Sequence, residues 1–204
     1  KWNNYYILKM DISKFFQNIN KDILYNILSK KVKDIKLLDL LKKIIYSNEG
    51  KTGLAIGNYT SQMFANIYLN EIDQYVKNTL NAKYYFRYMD DSILLIKTKE
   101  EAIEKLKRIK EFLEKKLELK LNNKTQIFKN KQGVNFCGYK INEYRLKIRD
   151  RGKRKLKEKV KKLTKEIKEG KINSKDAKKY LCGHLGYLKI ANTYNIENKL
   201  FEKE

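Results

Sequence analysis

Two β-rich runs, residues 83–89 and 92–97, have only Asp90-Asp91 between them, a gap that permits nothing longer than a tight hairpin. The other elements are read outward from that hairpin. Residues 5–12 read as a strand, and Asn20 caps a helical pattern through Ile23, Leu24, Ile27, Leu28 and Val32. Residues 37–45 carry another apolar stripe. Three glycines, Gly50, Gly53 and Gly57, make residues 47–59 a loop, after which a helix beginning at Thr60 or Ser61 reaches about Leu80. Beyond the hairpin the pattern predicts a charged helix over 100–117 and a strand over 121–128. A second hairpin pairs 134–141 with 144–148 and turns at Asn142-Glu143, and helices fill the remainder. The order β, α in several pieces, β, β, α, β makes an α+β chain with a ferredoxin-like, split βαβ core. In that topology the third strand lies between the first and second, so strand one ends beside the turn joining strands two and three. Asp11 should therefore meet Asp90 and Asp91.

Charge adds a partner. The 204 residues hold 47 Lys and Arg against 24 Asp and Glu, a net charge of +23 with a pI of about 9.8. Heavy use of Lys, Asn, Ile and Tyr without a single Pro is also what AT-rich coding would give, so distribution discriminates better than the total. Residues 149–204 hold eighteen of the basic residues against eight acidic ones. Within them, residues 149–168 place Leu156, Val160, Leu163 and Ile167 at helical spacing, predicting one packed stripe and a cationic remainder suited to a phosphate backbone. No apolar run is long enough to span a membrane and no signal-peptide pattern opens the chain, so a soluble, cytoplasmic protein without a membrane partner is expected. Cys137 and Cys182 lack the spacing of a disulfide framework or zinc site and are expected to be buried thiols. The chain opens on Lys and is inside a strand by Tyr5, which suggests that a further N-terminal portion precedes it.

Three carboxylates converging from separate elements, with no His or Cys among them, form an all-oxygen set suited to Mg²⁺, or Mn²⁺, rather than zinc. Two such ions activate an attacking hydroxyl and stabilise a leaving pyrophosphate, with no protein nucleophile. An isolated Asp-Asp between strands is more often an ordinary turn. The neighbouring residues decide the matter.

Asp11-Ile12-Ser13-Lys14-Phe15-Phe16 resembles motif A of the reverse transcriptases, and the stretch from Gly53 through Gly57-Asn58 to Ser61-Gln62 resembles motif B. Tyr88-Met89-Asp90-Asp91 is similar to the YxDD of motif C, Asn122-Asn123-Lys124-Thr125 stands where motif D would, and Phe136-Cys137-Gly138-Tyr139 resembles motif E. All five occur in family order. A tail from Gly183 to Tyr194 looks like the thumb of bacterial members, with His184 expected to pack rather than catalyse. The resemblance implies a palm over residues 1–148 and a basic helical thumb over 149–204, with the fingers absent or truncated ahead of Lys1. It implies an RNA-directed DNA polymerase that binds RNA template, a DNA or RNA primer and deoxynucleoside triphosphates.

Carried over by position, Asp11 and Asp90 would hold both metals, with Asp91 close by and the Ile12 carbonyl as a further ligand. Ser13, Lys14, Phe15 and Phe16 would face the nucleotide. Phe16 stands at the steric-gate position that excludes a 2′-hydroxyl, against the plainer reading that both phenylalanines are core. Ile56, Gly57, Asn58 and Gln62 would flank the incoming nucleotide, and Lys124 would approach the triphosphate, able to protonate pyrophosphate, though a solvated lysine is the plainer reading. Tyr88, Met89, Gly138 and Tyr139 would hold the primer, and Lys153, Arg154 and Lys157 the template–primer backbone. Many relatives have Pro-Gln-Gly in motif B, whereas this chain has Ala55-Ile56-Gly57 followed by Ser61-Gln62, the form that most resembles diversity-generating retroelements. That branch implies an error-prone enzyme with an accessory protein. The alternatives are the enzyme of a group II intron, retron or defence system, and an inactive RNA-binding fragment.

Overall fold

The computed structural model describes residues 4–194, apart from the side chains of His184 and Tyr187. The chain groups into two compact units, one ending at Lys129 and one beginning at Asn130. The small second sheet thus belongs with the C-terminal helices. The palm and thumb boundary expected at 148/149 does not coincide with this one.

In the first unit, β1 (Tyr6–Asp11) is followed by a one-turn helix α1 (Phe15–Asn18), then α2 (Lys21–Lys31), α3 (Ile35–Ile45) and α4 (Tyr59–Gln74), which runs on as a π-helical turn over Tyr75–Thr79. Strands β2 (Tyr85–Tyr88) and β3 (Asp91–Ile96) form the hairpin, α5 (Lys99–Lys116) crosses back, and β4 (Gln126–Lys129) closes the sheet. The sheet order is β2-β3-β1-β4 with every neighbouring pair antiparallel, as the element order predicts. Side chains alternate across β1 and β3. Leu8, Met10, Ile12, Leu94 and Ile96 face the helices and share a core with Phe64, Tyr68 and Ile72 of α4 and Ile109 and Leu113 of α5. Lys9, Asp11 and Asp91 lie on the opposite face. Asn20 caps α2 as expected, its side chain accepting from the amides of Asp22 and Ile23, and Thr98, accepting from that of Glu101, starts α5 one residue earlier than the pattern predicts.

Two sequence readings need correction here. The hairpin turns at Met89-Asp90, one residue earlier than expected, because Asp91 is already a strand residue paired with Tyr88 and Asp11. Met89 takes a left-handed φ of 53°, unusual for a residue with a side chain. The strand expected over 121–128 is confined to β4. Asn122 turns the chain first, its side-chain oxygen accepting from the Lys124 amide and its carbonyl from the Thr125 amide.

In the second unit β5 (Val134–Phe136), β6 (Tyr139–Ile141) and β7 (Leu146–Ile148) form an antiparallel sheet, followed by α6 (Asp150–Lys168) and α7 (Ser174–Lys189). The run expected as one strand over 134–141 is broken at Cys137-Gly138. Both residues have positive φ, 48° and 87°, which produces a two-residue hairpin and pairs Phe136 with Tyr139. Ile148, Leu156 and Leu188 make a small core. Cys137 and Cys182 are both exposed, contrary to expectation: one sits in the tight turn and the other on the outer side of α7.

Candidate active site

Asp11 and Asp91 are register partners at the ends of β1 and β3. The Asp11 carbonyl accepts from Asn122 N at 2.7 Å and Ser13 N donates to the Lys120 carbonyl at 2.9 Å, so Asp11 turns its backbone away from β3. Asp11 and Asp91 are then a non-hydrogen-bonded pair, the closer kind, with Cα atoms about 4.5 Å apart and both carboxylates on the open face. By the same alternation the Ile12 carbonyl points back toward the Asp90 side. Asp90 follows in the turn, half-buried. Burial, and then the charges of Asp11 and Asp91, push its carboxyl above the ordinary aspartate range.

Lys9 lies one pleat along on the same face and donates to Asp91 Oδ2 at 3.1 Å. Among the described residues no three His, Cys, Asp or Glu side chains are gathered closely enough to hold a metal as they stand. The donor set nevertheless suits a hard divalent cation: all its atoms are oxygens, and Asp11 and Asp91 lie near enough to Asp90 to add, after burial, to the rise of its carboxyl.

The other sequence motifs of the first unit gather around this strand end. Gly53 N donates to Ile19 O and Leu54 N to Phe16 O, both at 2.9 Å, joining the Gly-rich loop to the segment after Asp11. Gly53 has a φ of 92°, a left-handed conformation that favours glycine, while a Cβ there would only touch the Gln17 carbonyl at 3.4 Å. Phe15 is buried in the core, whereas Phe16 is half-buried at its edge, with ring centroids 5.4 Å apart. The reading that both rings are core therefore holds for Phe15 alone. Lys14, exposed with a φ of 45°, begins α1, and the Ser13 carbonyl accepts from Asn18. Ile56 is 74% exposed. Gly57, Asn58 and Gln62 are exposed beside it, and Tyr88 is 64% exposed at the hairpin. Lys124 is exposed in the turn whose Asn122 is bonded to Asp11.

Two supports carry no motif. Arg87 donates through Nε and Nη2 to both oxygens of Asp73 on α4, at 2.7 and 2.6 Å, and through Nη1 to the Met89 carbonyl at 3.0 Å. It ties the strained turn to the helix. Tyr85 donates to the same Asp73 at 2.8 Å, and burial, then Asp73, pushes its phenol far up. Lys21, fully buried, donates to the carbonyls of Asn48, Glu49 and Gly50 and holds the Gly-rich loop from beneath. Nothing in a chain so rich in lysine marks Lys21 out.

In the second unit Gly138 and Tyr139 fall in and after the β5–β6 turn. Of the stripe expected on α6, Leu156 and Leu163 are buried and Val160 is half-buried, whereas Ile167, near the helix end, is 38% exposed; Arg154 and Lys157 are exposed, while Lys153 is paired to Asp150 at 3.1 Å and is partly neutralised. The His184 side chain lies outside the described residues.

The motifs of the first unit, in this order around its strand end, define a class. The chain belongs to the reverse transcriptase (RNA-dependent DNA polymerase) family, whose model matches residues 1–141. It is 24% identical to the COX1/OXI3 intron 2 protein of Saccharomyces cerevisiae and to protein YkfC of Escherichia coli, each match covering 67% of the chain. The matches span 24% and 46% of those proteins, so the chain corresponds to less than half of either. Apo telomerase from Candida tropicalis shares the fold at a TM-score of 0.57 and 16% identity, over 72% of this chain and 36% of that one. The telomerase of the same species in complex with a fragment of telomeric RNA gives 0.58 and 14%, over 78% and 34%.

Proposed function

We propose that the chain is the catalytic part of an RNA-directed DNA polymerase, extending a DNA or RNA primer with deoxynucleoside triphosphates on an RNA template. The observation that carries this reading is the cross-strand pairing of Asp11 with Asp91 beside the Asp90 turn, in a chain of the reverse transcriptase family. Residues 1–148 would serve as palm and 149–204 as thumb. Asp11, Asp90 and the Ile12 carbonyl, with Asp91 nearby, would hold two Mg²⁺ or Mn²⁺ ions, which when bound activate the primer hydroxyl and stabilise the departing pyrophosphate. Phe16, at the edge of the core, would close the space under the sugar. Ser13, Lys14, Gly57, Asn58, Gln62 and Lys124 would flank the nucleotide; Tyr88, Met89, Gly138 and Tyr139 would hold the primer end. The test is extension of a DNA primer on an RNA template by the full-length protein. Extension that stops with a chelator and discriminates against ribonucleotides supports the reading. Tight template–primer binding without extension favours the inactive RNA-binding alternative instead.

The branch is the finer proposal. The Ala55-Ile56-Gly57 and Ser61-Gln62 form supports an error-prone, diversity-generating type working with an accessory protein, with errors expected at template adenines. An exposed Ile56 offers no donor or acceptor where a Gln would offer both, so selection between correct and incorrect pairs should relax. Ile56→Gln should lower misincorporation in sequenced cDNA; equal error rates in both proteins would remove Ile56 from fidelity. The match to an intron protein supports the intron-type enzyme as the second reading.

A further inference from the structure

The second unit contains a cavity of about 800 Å³ outside motifs A to E, lined by Tyr144, Arg145, Lys147, Lys189 and Tyr194 with Asn192 and its neighbours. Its two tyrosines are 84% and 75% exposed. Large rings left in water beside three cations, with no carboxylate in the lining among the described residues, are not explained by packing among those residues. The wall behind them, by contrast, is fixed. The Asn142 side chain accepts from the amides of Tyr144 and Arg145 at 3.1 and 2.7 Å, and Asn142 N donates to the Arg145 carbonyl. Opposite them, Asn192 N donates to the Leu146 carbonyl at 2.8 Å while its side chain accepts from Leu146 N at 3.0 Å. Thr193 is buried and donates to the Leu188 carbonyl. Tyr144 therefore projects from hydrogen-bonded backbone, and Tyr194 directly follows residues held in the same way, which lowers the entropic cost of binding something flat.

We propose that this cavity is a stacking site for an unpaired nucleotide of a single strand, the rings of Tyr144 and Tyr194 taking bases and Arg145, Lys147 and Lys189 the flanking phosphates. Rings and cations together are the elements by which proteins hold single strands without reading sequence. The site goes beyond the polymerase reading, since it needs neither the carboxylates nor the duplex.

The test uses the 204-residue chain and a short single strand containing 2-aminopurine, whose emission falls when the base stacks. Quenching should saturate, and Tyr144→Ala or Tyr194→Ala should each weaken it roughly 5- to 150-fold, the range that removal of one base–aromatic stack gives. Tyr144→Phe and Tyr194→Phe should stay near the native value. Arg145→Gln should lower the salt slope by about one. Tyr180, exposed on α7 but outside the cavity, is the control, and its Ala variant should bind like the native chain. Native-like quenching by both cavity variants, with circular dichroism confirming their fold, would overturn the proposal. So would an equal loss with Tyr180→Ala, or displacement of the strand by a free mononucleotide at equal nucleotide concentration.

Discussion

Lys9 and Asp90 act on the carboxylate cluster in opposite ways. Lys9 balances part of its charge, with both partners of the Lys9–Asp91 pair roughly a quarter exposed, so the pair contributes about 1 kcal/mol or less. Lys9→Met should lower stability by that amount in chemical denaturation, and should lower the Mn²⁺ concentration needed for half-maximal activity because a competing cation is gone. Asp90 has the reverse sign. Its carboxyl is raised by burial and by its two neighbours, so the folded chain holds that proton more tightly than the unfolded chain does. Its contribution to stability is present below the ordinary aspartate pKa, about 3.9, and is lost as pH rises through the raised value. Asp90→Asn should therefore stabilise the chelated protein at neutral pH and lose that advantage in acid, as denaturant midpoints at the two pH values will show. An unchanged difference between them would mean that Asp90 is not strained by its neighbours.

Among the elements, the ones that follow from local rules were legible in the sequence. Asn20 capping α2, the long apolar-periodic α5 and the basic α6 each need only neighbours within a turn to specify them. The catalytic candidates were legible for a different reason, since strand order alone brings Asp11 beside Asp90 and Asp91. What stayed hidden was set by distant partners. Asp91 joins β3 because Asp11 pairs with it, and the 121–128 run is interrupted because Leu121 bridges to Ile12 and Gln126 pairs with Lys9, leaving residues 122–125 to turn between them. Arg87 and Asp73 are fourteen residues apart on different elements, and neither has a pattern around it. Replacing Arg87 with Met should cost about 3 kcal/mol, the penalty for stranding a largely buried carboxylate, and Lys should not restore it because a bidentate fork is lost. Lys21→Met removes a buried donor from three loop carbonyls and should cost about 2 kcal/mol. Urea midpoints measure both, and a neutral result for either would show that the loop or turn stands without its clasp.

For the whole molecule, the +23 charge is explained by a nucleic-acid partner if its affinity follows the logarithm of salt concentration. Removing one cation that meets a phosphate should lower that slope by about one. On α6, Arg154→Gln and Lys157→Gln should each do so, whereas Lys153→Gln should do less because Asp150 already pairs with it. Slopes unchanged in all three would point to a face that is merely solvated. Narrower than this electrostatic question, and decisive for function, is whether the strand-end carboxylates perform nucleotidyl transfer. Primer extension on an RNA template with the full-length protein and its Asp90→Asn variant answers it, provided that template–primer binding is followed on the same samples. Binding should persist while extension falls by orders of magnitude, each factor of ten corresponding to about 1.36 kcal/mol of transition-state stabilisation. Near-normal extension by Asp90→Asn would instead show that nucleotidyl transfer does not depend on this carboxylate cluster.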